Sequence, residues 1–178
     1  MSIIAIVLIF ISQITLAGEM KFTTNSNSLS TKDSLRISAK IVGITDGDSV
    51  DALYNGELLL KIRLAHIDAP EKRGNQPFWQ KSKQKLSDLC FGQIVILTAK
   101  LNKNGTFESD RNGRMIATIY NQNQENVNMQ MVKSGMAWHF KKYSADSRYH
   151  KLEQQARQSK LGIWSDKNPI PPHDFRNP

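Results

Sequence analysis

Asp46-Gly47-Asp48-Ser49-Val50-Asp51-Ala52-Leu53-Tyr54-Asn55-Gly56-Glu57-Leu58-Leu59-Leu60-Lys61-Ile62-Arg63-Leu64 is the stretch that decides the fold class. Two turn signals bracket two runs of period two. Asp46-Gly47-Asp48 supplies turn chemistry, after which Val50, Ala52 and Tyr54 alternate with polar neighbours. Asn55-Gly56 is the strongest short hairpin signal in the chain, and beyond it Leu58, Leu60, Ile62 and Leu64 share one face, with Lys61 and Arg63 on the other. Upstream, Ile37, Ala39 and Ile41 alternate in the same way, so three consecutive antiparallel strands are expected.

Downstream, Pro77 sits where the first turn of a helix tolerates proline, and Phe78, Ser82, Leu86 and Leu89 fall on one helical face before Gly92. Strand-like alternation returns in 93–101 through Val95, Leu97 and Ala99, and in 114–120 through Met115, Ala117 and Ile119. Three strands, a helix and two strands are the element order of the OB-fold, a small five-stranded barrel. Two further helices are read at 127–134 and 146–161, the second with Tyr149, Leu152, Ala156 and Ser159 on a stripe. The expected class is α+β, mainly β: an OB-fold barrel with three helices. Residues 165–178, with Pro169, Pro171 and Pro172, are expected to lie along the surface without regular structure.

The chain has 178 residues, enough for one well-buried domain and short for two. Hydrophobic residues make up 39% and charged ones only 22%, which excludes a disordered chain. Lys and Arg number 24 against 16 Asp and Glu, giving +8 and a pI near 9.6, a balance that favours polyanionic partners. The uncharged, mostly apolar run of residues 3–17, with Thr15 and Ala17 ahead of Gly18, reads as a secretory signal peptide over 1–17. An uncleaved membrane anchor is the alternative, although the run is short for a span of about 20 residues. Periplasmic or extracellular location is expected. A linker over 18–35, a barrel domain over 36–164 and a tail over 165–178 complete the division. The sole cysteine, Cys90, excludes an internal disulfide and reads as core, and no Cys and His spacing suggests zinc.

The chemistry concentrates between Asp46 and Glu71. Asp48 and Asp68 end neighbouring elements and can meet at one barrel rim, where two acids, waters and a backbone carbonyl suit one calcium ion. Glu71 follows Asp68 across Pro70, which fixes the turn and makes this carboxylate a candidate general base. Arg63 and Arg114 lie on different strands and cannot deprotonate, so they can clamp a phosphate and favour its more highly charged transition state. Trp138, Phe140 and Tyr143, interleaved with Lys141 and Lys142, could hold bases and phosphates, with core packing the alternative for Trp138. Trp164 reads as packing, and the four histidines show no ligand spacing.

Asp46-Gly47-Asp48-Ser49-Val50, Arg63-Leu64 with Ile67-Asp68-Ala69-Pro70-Glu71, and Asp110-Arg111-Asn112-Gly113-Arg114 together resemble the staphylococcal nuclease (thermonuclease) family. So do Gly135-Met136-Ala137-Trp138, Ala156-Arg157, Gly162-Ile163-Trp164 and Pro171-Pro172, in order and in spacing from about residue 36 to 176. The resemblance implies an endonuclease of the micrococcal type that needs one calcium ion and cuts DNA and RNA to leave 3′-phosphate ends. It implies Asp48, Asp68 and the carbonyl of Ala69 as metal ligands, and Arg63, Glu71 and Arg114 as the catalytic set. Arg111, Lys141, Lys142 and Tyr143 are the further candidates for contact with nucleic acid. Ala69 replaces the threonine of the best-known member, Asn112 stands where a tyrosine is common, and the loop 72–76 is shorter, which would open the site. No stable protein partner is implied and a monomer is expected. Two other classes compete: a catalytically silent nucleic-acid-binding barrel, which predicts loss of Glu71 or an arginine, and a basic module for acidic polymers, which has no use for the carboxylate group.

Overall fold

The computed structural model describes residues 33–176. The expected signal peptide and all but the last three residues of the expected linker lie outside the described residues. Five strands close a barrel: β1 (Ser34–Asp46), β2 (Ser49–Tyr54), β3 (Leu58–Leu64), β5 (Ile94–Lys100) and β6 (Met115–Tyr120), in the order β1-β2-β3-β6-β5. The three-strand meander and the OB-like order follow the expectation.

β1 begins at Ser34, inside the expected linker, because Ser34 pairs with Lys100 and Leu35 with Ala99, and the Leu35 side chain is buried there. Local composition could not show a partner strand more than sixty residues away. β1 serves both β2 and β5, and register shifts after Ile41 and Ile44 bend it enough to do so. Closure comes from the parallel pairing of β3 with β6, which sets Ile62 opposite Met115 and Arg63 opposite Ile116. The inward positions of all five strands, from Ile37 and Ile41 through Ile62 and Leu97 to Ile119, form the core.

α1 (Trp79–Cys90) buries Ser82, Leu86 and Cys90 against the barrel. It starts two residues later than Pro77 suggested, since Phe78 holds a left-handed φ of 70° that breaks the helix before Trp79. Burial pushes the Cys90 thiol up to about 12, as befits a core residue. α2 (Val127–Lys133) and α3 (Ser147–Gln158) are capped by Asn126 and Asp146. On α3 the buried stripe is Tyr149, Glu153 and Ala156, and Ser159 is exposed. The two-residue strands β4 (Ile67–Asp68) and β7 (Trp138–His139) pair antiparallel, joining the turn after β3 to the chain after α2.

The tail departs from expectation. After a 3-10 turn (Gly162–Ser165), residues Pro172–Arg176 form a short helix, α4. Pro172 is buried, and Phe175 lies so close to the loop 72–76 that a Cβ on Gly74 would sit 3.0 Å from its ring. The short loop that was expected to open the site is therefore packed against the tail. Among the described residues no helix is long and apolar enough to cross a membrane.

Candidate active site

The turn between β1 and β2 builds the first carboxylate. The Asp48 N–H donates to Asp46 Oδ1 at 3.2 Å, which makes Asp46 a turn residue. Gly47 is required here because a Cβ would fall 2.8 Å from that of Ala69 and collide with the Ser82 hydroxyl. This close approach lets the Ala69 N–H donate to Asp48 Oδ2 at 2.7 Å. Residues 48 and 69 are thus tied directly, twenty-one positions apart.

Arg63 stands between the two acids. Its Nη1 pairs with Asp48 Oδ1, and its Nη2 reaches Asp68 Oδ1 at 2.7 Å and the Ile67 carbonyl at 3.3 Å. Its side chain is only 13% exposed, and both carboxylates are buried. Burial pulls this guanidinium below its usual value and Asp68 works against that, as charge compensation inside the protein demands. Asn128 of α2 steadies the junction from below, donating to the carbonyls of Ala65 at 3.0 Å and Ala117 at 3.1 Å while its Oδ1 accepts from the Ile119 N–H.

Arg114 arrives from the loop ahead of β6. Asp110 organises that loop, accepting the backbone N–H groups of Asn112 and Arg114 on Oδ1 at 2.9 and 3.0 Å, and the Arg114 Nε on Oδ2 at 2.7 Å. Burial would raise the Asp110 carboxyl, but the hydrogen bonds and charge of Arg114 hold it below the usual carboxylate value. Arg114 Nη1 donates to Ser49 Oγ at 2.8 Å, and Ser49 donates in turn to Asp48 Oδ1 at 3.0 Å. Arg63 and Arg114 therefore meet through one serine and one aspartate.

Glu71 is held by its backbone, whose N–H donates to the buried Gln76 Oε1 at 2.9 Å. Its carboxylate pairs with Arg176 Nη1. Arg176 also forks onto Asp68, with Nη1 at 3.2 Å from Oδ1 and Nη2 at 2.9 Å from Oδ2. Burial would lower this guanidinium, and the two acids raise it above its usual value.

Arg63, Glu71, Arg114 and Asp48 line one cleft of about 600 Å³, together with Arg111, Asn112, Phe140, Lys142, Tyr143 and Arg176. Asp68 and Ala69 lie outside the lining, and Arg63 and Arg176 cover the Asp68 oxygens. Of the four candidate nucleic-acid contacts, Arg111, Lys142 and Tyr143 face the cleft; Lys141 does not, and pairs with the buried Glu153 at 3.0 Å. Trp138 packs edge-on against Trp164 with ring centroids 4.2 Å apart, in agreement with the packing reading. Among the described residues no three His, Cys, Asp or Glu side chains gather as a metal cluster.

Sequence reasoning missed Ser49, Gln76, Asp110 and Arg176 as parts of the site. Asp110 had a signal, an acid four residues before Arg114 across a glycine turn; Arg176 had none beyond its charge.

A five-stranded OB-like barrel with paired acids, a third carboxylate and guanidiniums at one cleft defines an enzyme of phosphodiester hydrolysis. The family model described as staphylococcal nuclease homologue matches residues 61–166. A Haemophilus influenzae protein named "Uncharacterized endonuclease" is 44% identical over 137 residues, 77% of this chain and 71% of that one. An Escherichia coli O157:H7 protein of the same name is 36% identical, covering 79% and 86%, and a Shigella flexneri "Micrococcal nuclease" is 38% identical, covering 77% and 79%. The chain belongs to the staphylococcal nuclease family.

Proposed function

We propose that this nuclease is exported and calcium-dependent, and that it cuts DNA and RNA to leave 3′-phosphate ends. The observation that carries the reading is the unbroken polar chain from Arg114 through Ser49, Asp48, Arg63 and Asp68, with Glu71 on the same cleft. Two buried carboxylates bridged by Arg63, with the Ala69 backbone tied to Asp48, offer the oxygen donors that suit a hard cation such as calcium. Asp48, Asp68 and the carbonyl of Ala69 would hold it. When bound, the ion supplies charge neutralisation at a phosphoryl oxygen.

Arg63 and Arg114 hold the non-bridging oxygens and stabilise the charge that grows on them. Glu71 takes a proton from the attacking water, whose oxygen bonds to phosphorus. The P–O5′ bond breaks, and O5′ takes a proton from solvent. Such a clamp reads the backbone and not the bases, which supports action on both DNA and RNA. Arg111, Lys142 and Tyr143 extend the contact along the strand. The apolar run of residues 3–17 supports export.

Plasmid and RNA digestion with calcium, with chelator, and with Glu71→Gln tests the mechanism. Loss of a general base costs about 10²–10⁴ in rate, so Glu71→Gln should be nearly inactive with an unchanged circular dichroism spectrum. Full activity in that variant or in chelator would overturn the reading.

A further inference from the structure

We propose that Arg176 is the resident counter-ion of the metal site, and that the C-terminal segment 170–176 and a divalent cation compete for Asp68. The proposal rests on the calcium reading above and adds a residue and a segment to it. Three observations carry it.

First, Arg176 occupies both oxygens of Asp68 in a fork and reaches Glu71 with the same Nη1. With Arg63 on Oδ1 as well, Asp68 is saturated by guanidinium protons. Second, Arg176 is delivered by a packed segment. Gln76 donates its Nε2 to the Ile170 carbonyl at 2.8 Å while its Oε1 accepts from the Glu71 N–H, so one buried side chain ties the segment to the candidate base. Pro172 is buried and Phe175 presses on Gly74. Third, Arg176 is chemically matched to the role. A carboxylate that gives its lone pairs to a divalent ion cannot keep a bidentate guanidinium, and two cations a few ångström apart repel.

Cation binding at Asp68 therefore displaces Arg176, and in leaving, Arg176 also releases Glu71. Base and metal ligand are held inert by one side chain and freed together. Arg63 takes a single oxygen of each acid and forks on neither, so the competition falls on Arg176.

The test is direct calcium binding by isothermal titration calorimetry of the wild type, Arg176→Gln and Arg176→Lys at one ionic strength. Relief of competition predicts about fivefold to a hundredfold tighter calcium binding by Arg176→Gln, the usual span of coupling between two ligands. Arg176→Lys should fall between, because an ammonium is a point charge that cannot fork. In the wild type, calcium should speed amide exchange across 170–176, a readout that needs no variant. Unchanged or weaker calcium binding in Arg176→Gln, with the wild type binding, overturns this proposal alone. Slower exchange across 170–176 with calcium also overturns it. Absence of calcium binding in every form overturns both this proposal and the calcium reading.

Discussion

The sheet of β4 and β7 feeds two polar clusters built from similar residues and put to different ends. From β4, the buried Asp68 sits behind the cleft wall, where it meets Arg63 and Arg176, which line the cleft. From β7, Trp138 and His139 enter the helical layer, where Glu153 is 1% exposed and pairs with Lys141 at 3.0 Å and Arg157 at 3.5 Å. Arg157 lies 3.8 Å from the Trp164 ring centroid and 5.0 Å from that of Trp138. Both clusters hold a buried acid between two cations. In the first, the cations line a cleft large enough for a phosphate; in the second, Glu153 is buried under Lys141 and Arg157, which lie outside that cleft, and the indoles pack against Arg157. What separates function from structure here is access, since charge pairing looks alike in both.

The sharpest way to break that comparison is to shorten the fork of each clamp residue. Arg63→Lys should lower kcat by about 10²–10³, the cost of losing one preorganised donor, and should also lower the melting temperature, because Asp48 and Asp68 lose their shared partner. Arg114→Lys should lower kcat by a similar factor with little change in melting, since its partner Asp110 sits in a loop that water reaches. Equal melting losses in the two variants would erase the distinction between a buried bridge and a loop-held clamp.

In the second cluster the effect moves from rate to stability. Glu153→Ala should cost about 2–3 kcal/mol in urea unfolding, while kcat of the folded enzyme stays that of the wild type. A large drop in kcat without loss of stability would make this cluster part of the active site.

The smallest effect is on pH dependence. Burial holds His139 below its usual 6.5, and neither ring nitrogen has a hydrogen-bond partner among the described residues. The unfolded chain accepts a proton at 6.5 that the folded chain refuses until its lower value is reached, so stability falls as pH drops through that window. His139→Leu should flatten the slope of melting temperature between about pH 6.5 and pH 5. Part of the slope should persist through His66, which burial also lowers. An unchanged slope would place the proton uptake elsewhere.

Much of the first cluster was legible from the chain because each part has a local signature. Asp48 stands in a turn, Glu71 in a proline-fixed turn, and Arg63 on the outer face of an alternating strand. The second cluster was only half legible: Trp138 and Trp164 could be read as packing, but Glu153 on a charged helix gave no sign that it is buried. Lys141 looked like Lys142, and only the fold turns one toward Glu153 and the other toward the cleft.

Periodicity and turn chemistry by themselves determined the strands, their order along the chain and the turns and strand face that carry Asp48, Glu71 and Arg63, because those depend on neighbours within a few residues. The tertiary structure alone decided what is set by distant neighbours. It paired Ser34 with Lys100, tied Ala69 to Asp48, and brought Arg176 back across more than one hundred positions to Asp68 and Glu71. A guanidinium finds its carboxylate through space, and no local pattern in a proline-rich tail encodes which acid that will be.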